Sequence, residues 1–215
     1  MHIPVRFRFQ FRCSAALLAL TALLWAMPAL GQPAPIQLPK PQITGGMPLM
    51  QALALRQTTR AFQDKPLPQQ TLSNLLWAAF GVNRSREVKP GLGRTAPSAM
   101  NKQEVELYVL LADGVYVYEA EANRLRPVEA GDMRGKISPA AAAHAAVTIA
   151  YVADAKLDFA QIDTGFIGQN VYLFAASEGL NAWLYAFHGQ DVAAILKLPE
   201  GHKGICAQSV GYPPK

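Results

Sequence analysis

The run from Phe159 to Glu178 constrains this chain more than any other stretch. It has helical spacing and is apolar on nearly all sides, through Phe166, Ile167, Val171, Leu173, Phe174 and Ala175, and Gly179 follows as a stop. A helix with no wet face belongs in the middle of a core or in a seam between subunits. The rest of the chain must therefore cover it from several directions, or a second copy must.

The remaining pattern supplies both helices and strands. Pro48 opens a short helix with Leu49, Ala52 and Leu53 on one face and Arg56 near its end. A clearer helix has Pro68 at its first position, Leu72, Leu75, Leu76, Ala79 and Phe80 at helical spacing, and Gly81 as its stop. Residues 82–96 are basic and carry glycines and Pro90, the composition of an exposed loop. Val105–Leu111 and Val115–Tyr118 read as strands, and Asp113-Gly114 between them is a hairpin signal. Val147–Val152 predicts a buried strand, Leu180–Phe187 an extended run, Asp191–Leu196 a short helix and Ile205–Val210 a last strand. Helices mixed with antiparallel strands in this way indicate an α+β domain.

The N-terminus is built differently. Arg6, Arg8 and Arg12 precede the apolar run Ala15–Trp25, Pro28 breaks that run, and Ala29-Leu30-Gly31 supplies small residues. This is the layout of a signal peptide. The apolar run is shorter than the roughly 20 residues a membrane-spanning helix needs. The segment holds no arginine pair, and Cys13 precedes the apolar core, so neither twin-arginine export nor lipid attachment has support. The expectation is cleavage near Gly31/Gln32 and a periplasmic chain free of the membrane after processing. Residues 32–47, rich in proline with a Gly45-Gly46 pair, form a linker or arm, and 48–215 form one domain. Residues 1–31 account for three of the 20 Lys and Arg and none of the 15 acidic residues, so the basicity is partly a targeting feature. No basic block alternates with aromatics beyond residue 31, which argues against nucleic acid as a partner.

The commonest catalytic constellations are missing from the sequence. His144, His188 and His202 are not at metal-ligand spacing and no CxxC occurs. No Gly-x-Ser-x-Gly elbow and no GxGxxG after a strand is present. Cys206, in Gly204-Ile205-Cys206-Ala207, reads as a core thiol on a buried strand. Two anion-binding candidates are left. In Arg56-Gln57-Thr58-Thr59-Arg60, alternate residues of an extended run would present Arg56, Thr58 and Arg60 to one ligand; the bland alternative is a solvated basic turn. In Arg94-Thr95-Ala96-Pro97-Ser98-Ala99-Met100-Asn101-Lys102-Gln103, a proline followed by small polar residues is the composition of a helix start, which either binds an anion or flat polar ring or serves only as a cap.

In order, these runs resemble the nitroreductase superfamily, and within it the dehydrogenase branch of azoline oxidases that form thiazoles and oxazoles. The resemblance is carried by Arg56-x-Thr58-x-Arg60-x-Phe62, by Pro66-Leu67, and by Leu75-Leu76-Trp77-Ala78-Ala79-x-Gly81-x-Asn83-Arg84. It continues through Arg94 to Gln103, Gly114-Val115-Tyr116-x-Tyr118 and Asp163-x-Gly165-x-Ile167-x-Gln169-Asn170-Val171. Ser177-Glu178-Gly179-Leu180 and Val210-Gly211-Tyr212-Pro213 complete it, so that it spans roughly 48–214.

The resemblance implies a central antiparallel sheet flanked by helices, closed as an intertwined homodimer with FMN at two interface sites. By that likeness Arg56 and Thr58 hold the phosphate and ribityl chain, and Arg60 lies at the pyrimidine edge, where a cation favours reduced flavin. Pro97, Ser98, Ala99 and Asn101 reach the ring from the other subunit. The backbone of Leu184, Tyr185 and Ala186 passes the hydride-accepting atom, although Leu-Tyr-Ala-Phe departs from the family's usual segment. Lys215 stands where relatives carry further basic residues near the phosphate. The implied activity is ping-pong hydride or electron transfer between FMN and a small-molecule substrate, with no protein acid, base or nucleophile required. The donor is NAD(P)H, as in cytoplasmic relatives, or an exported reductant. The alternative is an exported flavin carrier without turnover.

Overall fold

A computed structural model describes residues 33–84, 93–156, 159–189 and 191–215. The expected signal segment and most of the basic loop 84–94 lie outside the described residues. The strands are β1 (Ile36–Gln37), β2 (Val82–Arg84), β3 (Gly93–Arg94), β4 (Glu106–Leu111), β5 (Gly114–Glu119), β6 (Arg124–Ala130), β7 (Val147–Asp154), β8 (Asn181–Tyr185) and β9 (His202–Gly211). The helices are α1 (Leu49–Leu55), α2 (Gln69–Phe80), α3 (Arg134–Ile137), α4 (Ala160–Ser177) and α5 (Val192–Ile195). Seven strands form one antiparallel sheet in the order β1-β6-β5-β4-β7-β9-β8, and β2 pairs with β3 separately.

Strand alternation divides the core between the two faces of the sheet. Leu107, Val109, Val147, Ile149 and Tyr151 point to the face covered by α2 and α4. Tyr108, Leu110, Ala150 and Val152 point the other way, against Ile137 of α3 and Ile195 and Leu196 around α5. Helix α2 buries Leu72, Leu75, Leu76, Ala79 and Phe80, the residues its spacing predicts. Pro68 stands one position earlier than expected: it is the extended residue before the helix, and its carbonyl accepts the first helical bond, from Leu72 N at 3.0 Å.

Helix α4 differs from its sequence reading in an informative way. Its buried face carries Asp163, Thr164 and Gly168 beside Ile167, Val171 and Ala175, whereas Phe159, Ile162 and Phe166 are exposed. The apolar character is thus shared between the sheet and an uncovered face. Close approach to the sheet depends on Gly168: a Cβ there would lie 2.9 Å from Leu184 Cδ1. The buried Gln208 side chain donates to Gly168 O at 3.2 Å and accepts from Tyr151 OH at 2.6 Å.

Two further readings are corrected, and one strand was not read at all. The hairpin turn is Ala112-Asp113, not Asp113-Gly114, because Leu111 pairs with Gly114. Gly114 is required inside the strand, where a Cβ would meet Glu129 O at 2.7 Å. The segment expected as linker or arm is extended but not outside the core. Ile36-Gln37 joins the sheet, Leu38 is buried, and Pro39 O accepts from Ser73 and Asn123. Strand β6 was not legible because Pro127 and the charges Arg124, Arg126 and Glu129 mask its alternation; β1 pairs only with Arg124 and Leu125, so Pro127 lies where that side of β6 has no strand neighbour among the described residues.

Candidate functional site

The first candidate run ends helix α1 and lies along the outer edge of β8. Thr59 N donates to Ala182 O at 3.0 Å, Ala182 N donates to Thr59 Oγ1 at 3.1 Å, and Asn181 Nδ2 donates to Ala61 O at 2.7 Å. These bonds cover an otherwise open sheet edge and set the direction of the alternate side chains. Arg56 lies with its guanidinium carbon 5.5 Å from the centre of the Tyr172 ring. Thr58 Oγ1 is 3.1 Å from Tyr172 OH, which accepts from Leu184 N at 2.8 Å.

Arg60 does not join the other two. Its guanidinium carbon stands 5.4 Å from the Trp183 ring. Ala182 and Leu184 pack with the α4 side of the sheet, whereas Trp183 and Tyr185 pack on the other side with Phe62. Arg56 and Thr58 therefore converge on Tyr172 while Arg60 sits across the strand. The expectation that all three face one way rested on strand alternation, and the run from Arg56 to Arg60 is not a regular strand. Among the described residues neither Arg56 nor Arg60 pairs with a carboxylate. A cavity of about 220 Å³ opens beside the run, lined by Gln57, Thr59, Tyr172 and Asn181.

The second run forms a single 3-10 turn, Ala99–Asn101, instead of a longer helix start. Met100, Asn101 and Gln103 all have left-handed backbone, at φ 52°, 55° and 53°. Non-glycine residues avoid this region, and a cluster of them persists only where surroundings enforce it. The enforcement is visible. Both oxygens of the buried Asp163 carboxylate accept from Ala99 N, at 3.0 and 3.2 Å, so this N–H is engaged. Gln103 N donates to Ser98 Oγ at 2.6 Å, and Gln103 Nε2 donates to Asn101 Oδ1 at 2.9 Å. Arg94 braces the turn by donating to Gln103 Oε1 at 2.7 Å and Phe80 O at 3.2 Å. Pro97 precedes the turn and is exposed.

The other expected residues are spread along β8 and the C-terminus. Leu184 contributes its N–H to Tyr172. Tyr185 turns its side chain inward, with its hydroxyl 2.7 Å from Ser138 Oγ and 2.6 Å from Ser209 Oγ, and burial pushes its pKa up. Ala186 and Lys215 are exposed. The C-terminal segment is tied back near the first run, through Gln63 N donating to Tyr212 O at 2.9 Å and Lys65 Nζ 4.3 Å from the Tyr212 ring. Cys206 lies on β9, partly buried, and burial pushes its thiol pKa up to about 11. Sequence reasoning missed Tyr172, which touches Arg56, Thr58 and Leu184 together. A tyrosine within an apolar helix gives no signal beyond core packing.

The relation between the two runs decides what a single chain can do. Asp163, which holds the second, and Tyr172, which receives the first, lie on the same helix nine residues apart. Nine residues are two and a half turns and about 13 Å along the axis, so the two contacts stand on opposite sides of α4. Within one chain the two sets do not face one ligand. A larger cavity of about 440 Å³, between residues 42–47, Trp77 of α2 and Asn170 and Phe174 of α4, contains none of the expected binding residues.

Comparison with known proteins agrees with this architecture. The nitroreductase family model matches residues 53–212. A crystal structure of a protein named a nitroreductase from Ralstonia eutropha JMP134 superposes with a TM-score of 0.74 at 33% identity, covering 84% of this chain and 90% of that one. A protein named a nitroreductase from Methanocaldococcus jannaschii is 28% identical over 174 residues, 71% of this chain and 85% of that one. An FMN-dependent nitroreductase from Clostridium difficile R20291 shares the fold, with a TM-score of 0.54 at 19% identity. The chain belongs to the nitroreductase family of oxidoreductases, with that family's large antiparallel sheet flanked by helices.

Proposed function

We propose that two copies of this chain form an FMN-dependent oxidoreductase, with each flavin held between a first run from one copy and a second run from the other. The observation that carries this is the placement of the two runs on opposite sides of α4. A second copy is the simplest way to bring such sets together. The uncovered apolar residues fit the same reading: Leu49, Met50, Leu53 and Leu55 around α1, and Phe159, Ile162 and Phe166 at the start of α4. Arg56 and Arg60, which pair with no carboxylate among the described residues, suit a phosphorylated, anion-forming group, because a guanidinium without an anionic neighbour gains most from such a partner.

In this reading the bound flavin supplies the hydride and electron chemistry. Arg56 and Thr58 bind the phosphate and ribityl chain. Arg60 sets a positive charge where negative charge gathers. Pro97, Ser98, Ala99 and Asn101 of the partner subunit orient the ring, the backbone of 184–186 runs beside it, and Lys215 adds charge near the phosphate. The ordered runs from Arg56 to Pro213 support a likeness to the azoline-oxidising dehydrogenases, which we propose as the branch of this chain. We further propose export through residues 1–31, which would make an exported reductant, not NAD(P)H, the electron donor.

The test is to purify the protein, release its flavin and identify it, then reduce the holoprotein and offer small-molecule acceptors. FMN at about one per subunit, with repeated turnover, is expected. Absence of flavin would overturn the reading, and flavin that is reduced without turnover would make the protein a carrier.

A further inference from the structure

Tyr172 links two parts of the molecule that are distant in sequence. Its hydroxyl accepts from Leu184 N at 2.8 Å and lies 3.1 Å from Thr58 Oγ1, and its ring faces Arg56. An amide N–H can only donate, so the phenol oxygen is the acceptor in the first contact. The phenol hydrogen is then available to Thr58. A phenol is a stronger acid than an aliphatic alcohol and so the better donor, which makes Tyr172 the donor in the second contact. The resulting chain runs Leu184 N–H to Tyr172 O–H to Thr58 Oγ1. Among the described residues no other hydrogen bond engages the Thr58 hydroxyl, so its hydrogen is left to donate to a ligand.

We propose that Tyr172 is a positioning residue that orients Thr58 as a hydrogen-bond donor and holds Arg56 beside it, so that this end of the site selects a ligand group rich in acceptor oxygens and negative charge. The inference rests on the reading above, in which this end receives the flavin phosphate, and adds to it the residue that sets the polarity of the grip. A donor oriented in advance loses less freedom on binding, and its bond to a charged oxygen is stronger than one to a neutral hydroxyl. Tyr172 therefore favours FMN over riboflavin, which lacks the phosphate.

Tyr172→Phe keeps the ring against Arg56 and removes only the hydroxyl. Flavin-fluorescence titration of the flavin-free protein with FMN and with riboflavin reads the effect. Tyr172→Phe is expected to weaken FMN binding by roughly tenfold, the worth of one charge-assisted hydrogen bond, while riboflavin binding changes by less than about twofold. In a Thr58→Val background, Tyr172→Phe should weaken FMN binding by less than about twofold, because the oriented hydroxyl is already gone. Equal losses for FMN and riboflavin would reduce Tyr172 to a packing residue and overturn the inference, as would full additivity with Thr58→Val or an unchanged FMN affinity. A parent protein that binds no FMN overturns the flavin reading itself, and this inference with it.

Discussion

Arg56 and Arg60 lie four residues apart and have separate surroundings, one over Tyr172 and one over Trp183. Their substitution should therefore have different consequences. If Arg56 holds the flavin phosphate as proposed, Arg56→Ala removes a charged contact worth about 1.5–3 kcal/mol and should weaken FMN binding by roughly 10- to 150-fold in titration. Arg60→Ala should lower the flavin reduction potential as well as affinity, since the lost cation stabilises negative charge on reduced flavin. Dye-equilibration potentiometry reads the second effect; unchanged affinity and potential in both variants would return the run to a solvated basic turn. At this scale the alternate spacing of Arg56 and Thr58 made their common direction legible, since both meet Tyr172. The sequence was not legible for Tyr172, whose role depends on the fold bringing Thr58 and Leu184 to it. Nor did it reveal that Arg60 lies over Trp183, because alternation holds only in a regular strand and this run is not one.

Among the elements, apolar periodicity located α2, β4 and β7 well, since each buries a regular face. Short or charge-bearing elements escaped it, such as β6 and the four-residue α3. Helix α3 is held at its start by polar contacts that pattern reading does not see. The buried Arg134 donates to both oxygens of Asp132, at 3.0 and 2.7 Å, and to Ala145 O at 2.6 Å. The Arg134 hydrogen bond holds the Asp132 carboxyl below its ordinary pKa. A depressed carboxyl pKa stabilises the fold above the unfolded value, about 4, and that contribution is lost as pH falls through the folded value. Asp132→Asn should thus cost about 1–2 kcal/mol at neutral pH, less than a fully buried pair because the Asp132 side chain is 37% exposed. Thermal melts should show the gap between parent and variant closing below about pH 4; a gap independent of pH would mean that the charge of Asp132 is irrelevant.

For the whole molecule, the governing fact is that α4 has two faces, one packed on the sheet and one uncovered. Its inner face packs on the sheet through Ile167, Gly168 and Val171, and its outer side presents Phe159, Ile162 and Phe166. The sequence announced a helix with too much apolar surface for one purpose, and the fold shows where the surplus lies. A second copy over that surplus would also unite the two candidate runs. Sedimentation velocity followed at the flavin absorbance tests this most directly. The flavin is expected to sediment with a dimer at about two FMN per dimer, and dissociation of the dimer should release it. A stable monomer carrying tightly bound FMN would contradict a site shared between subunits.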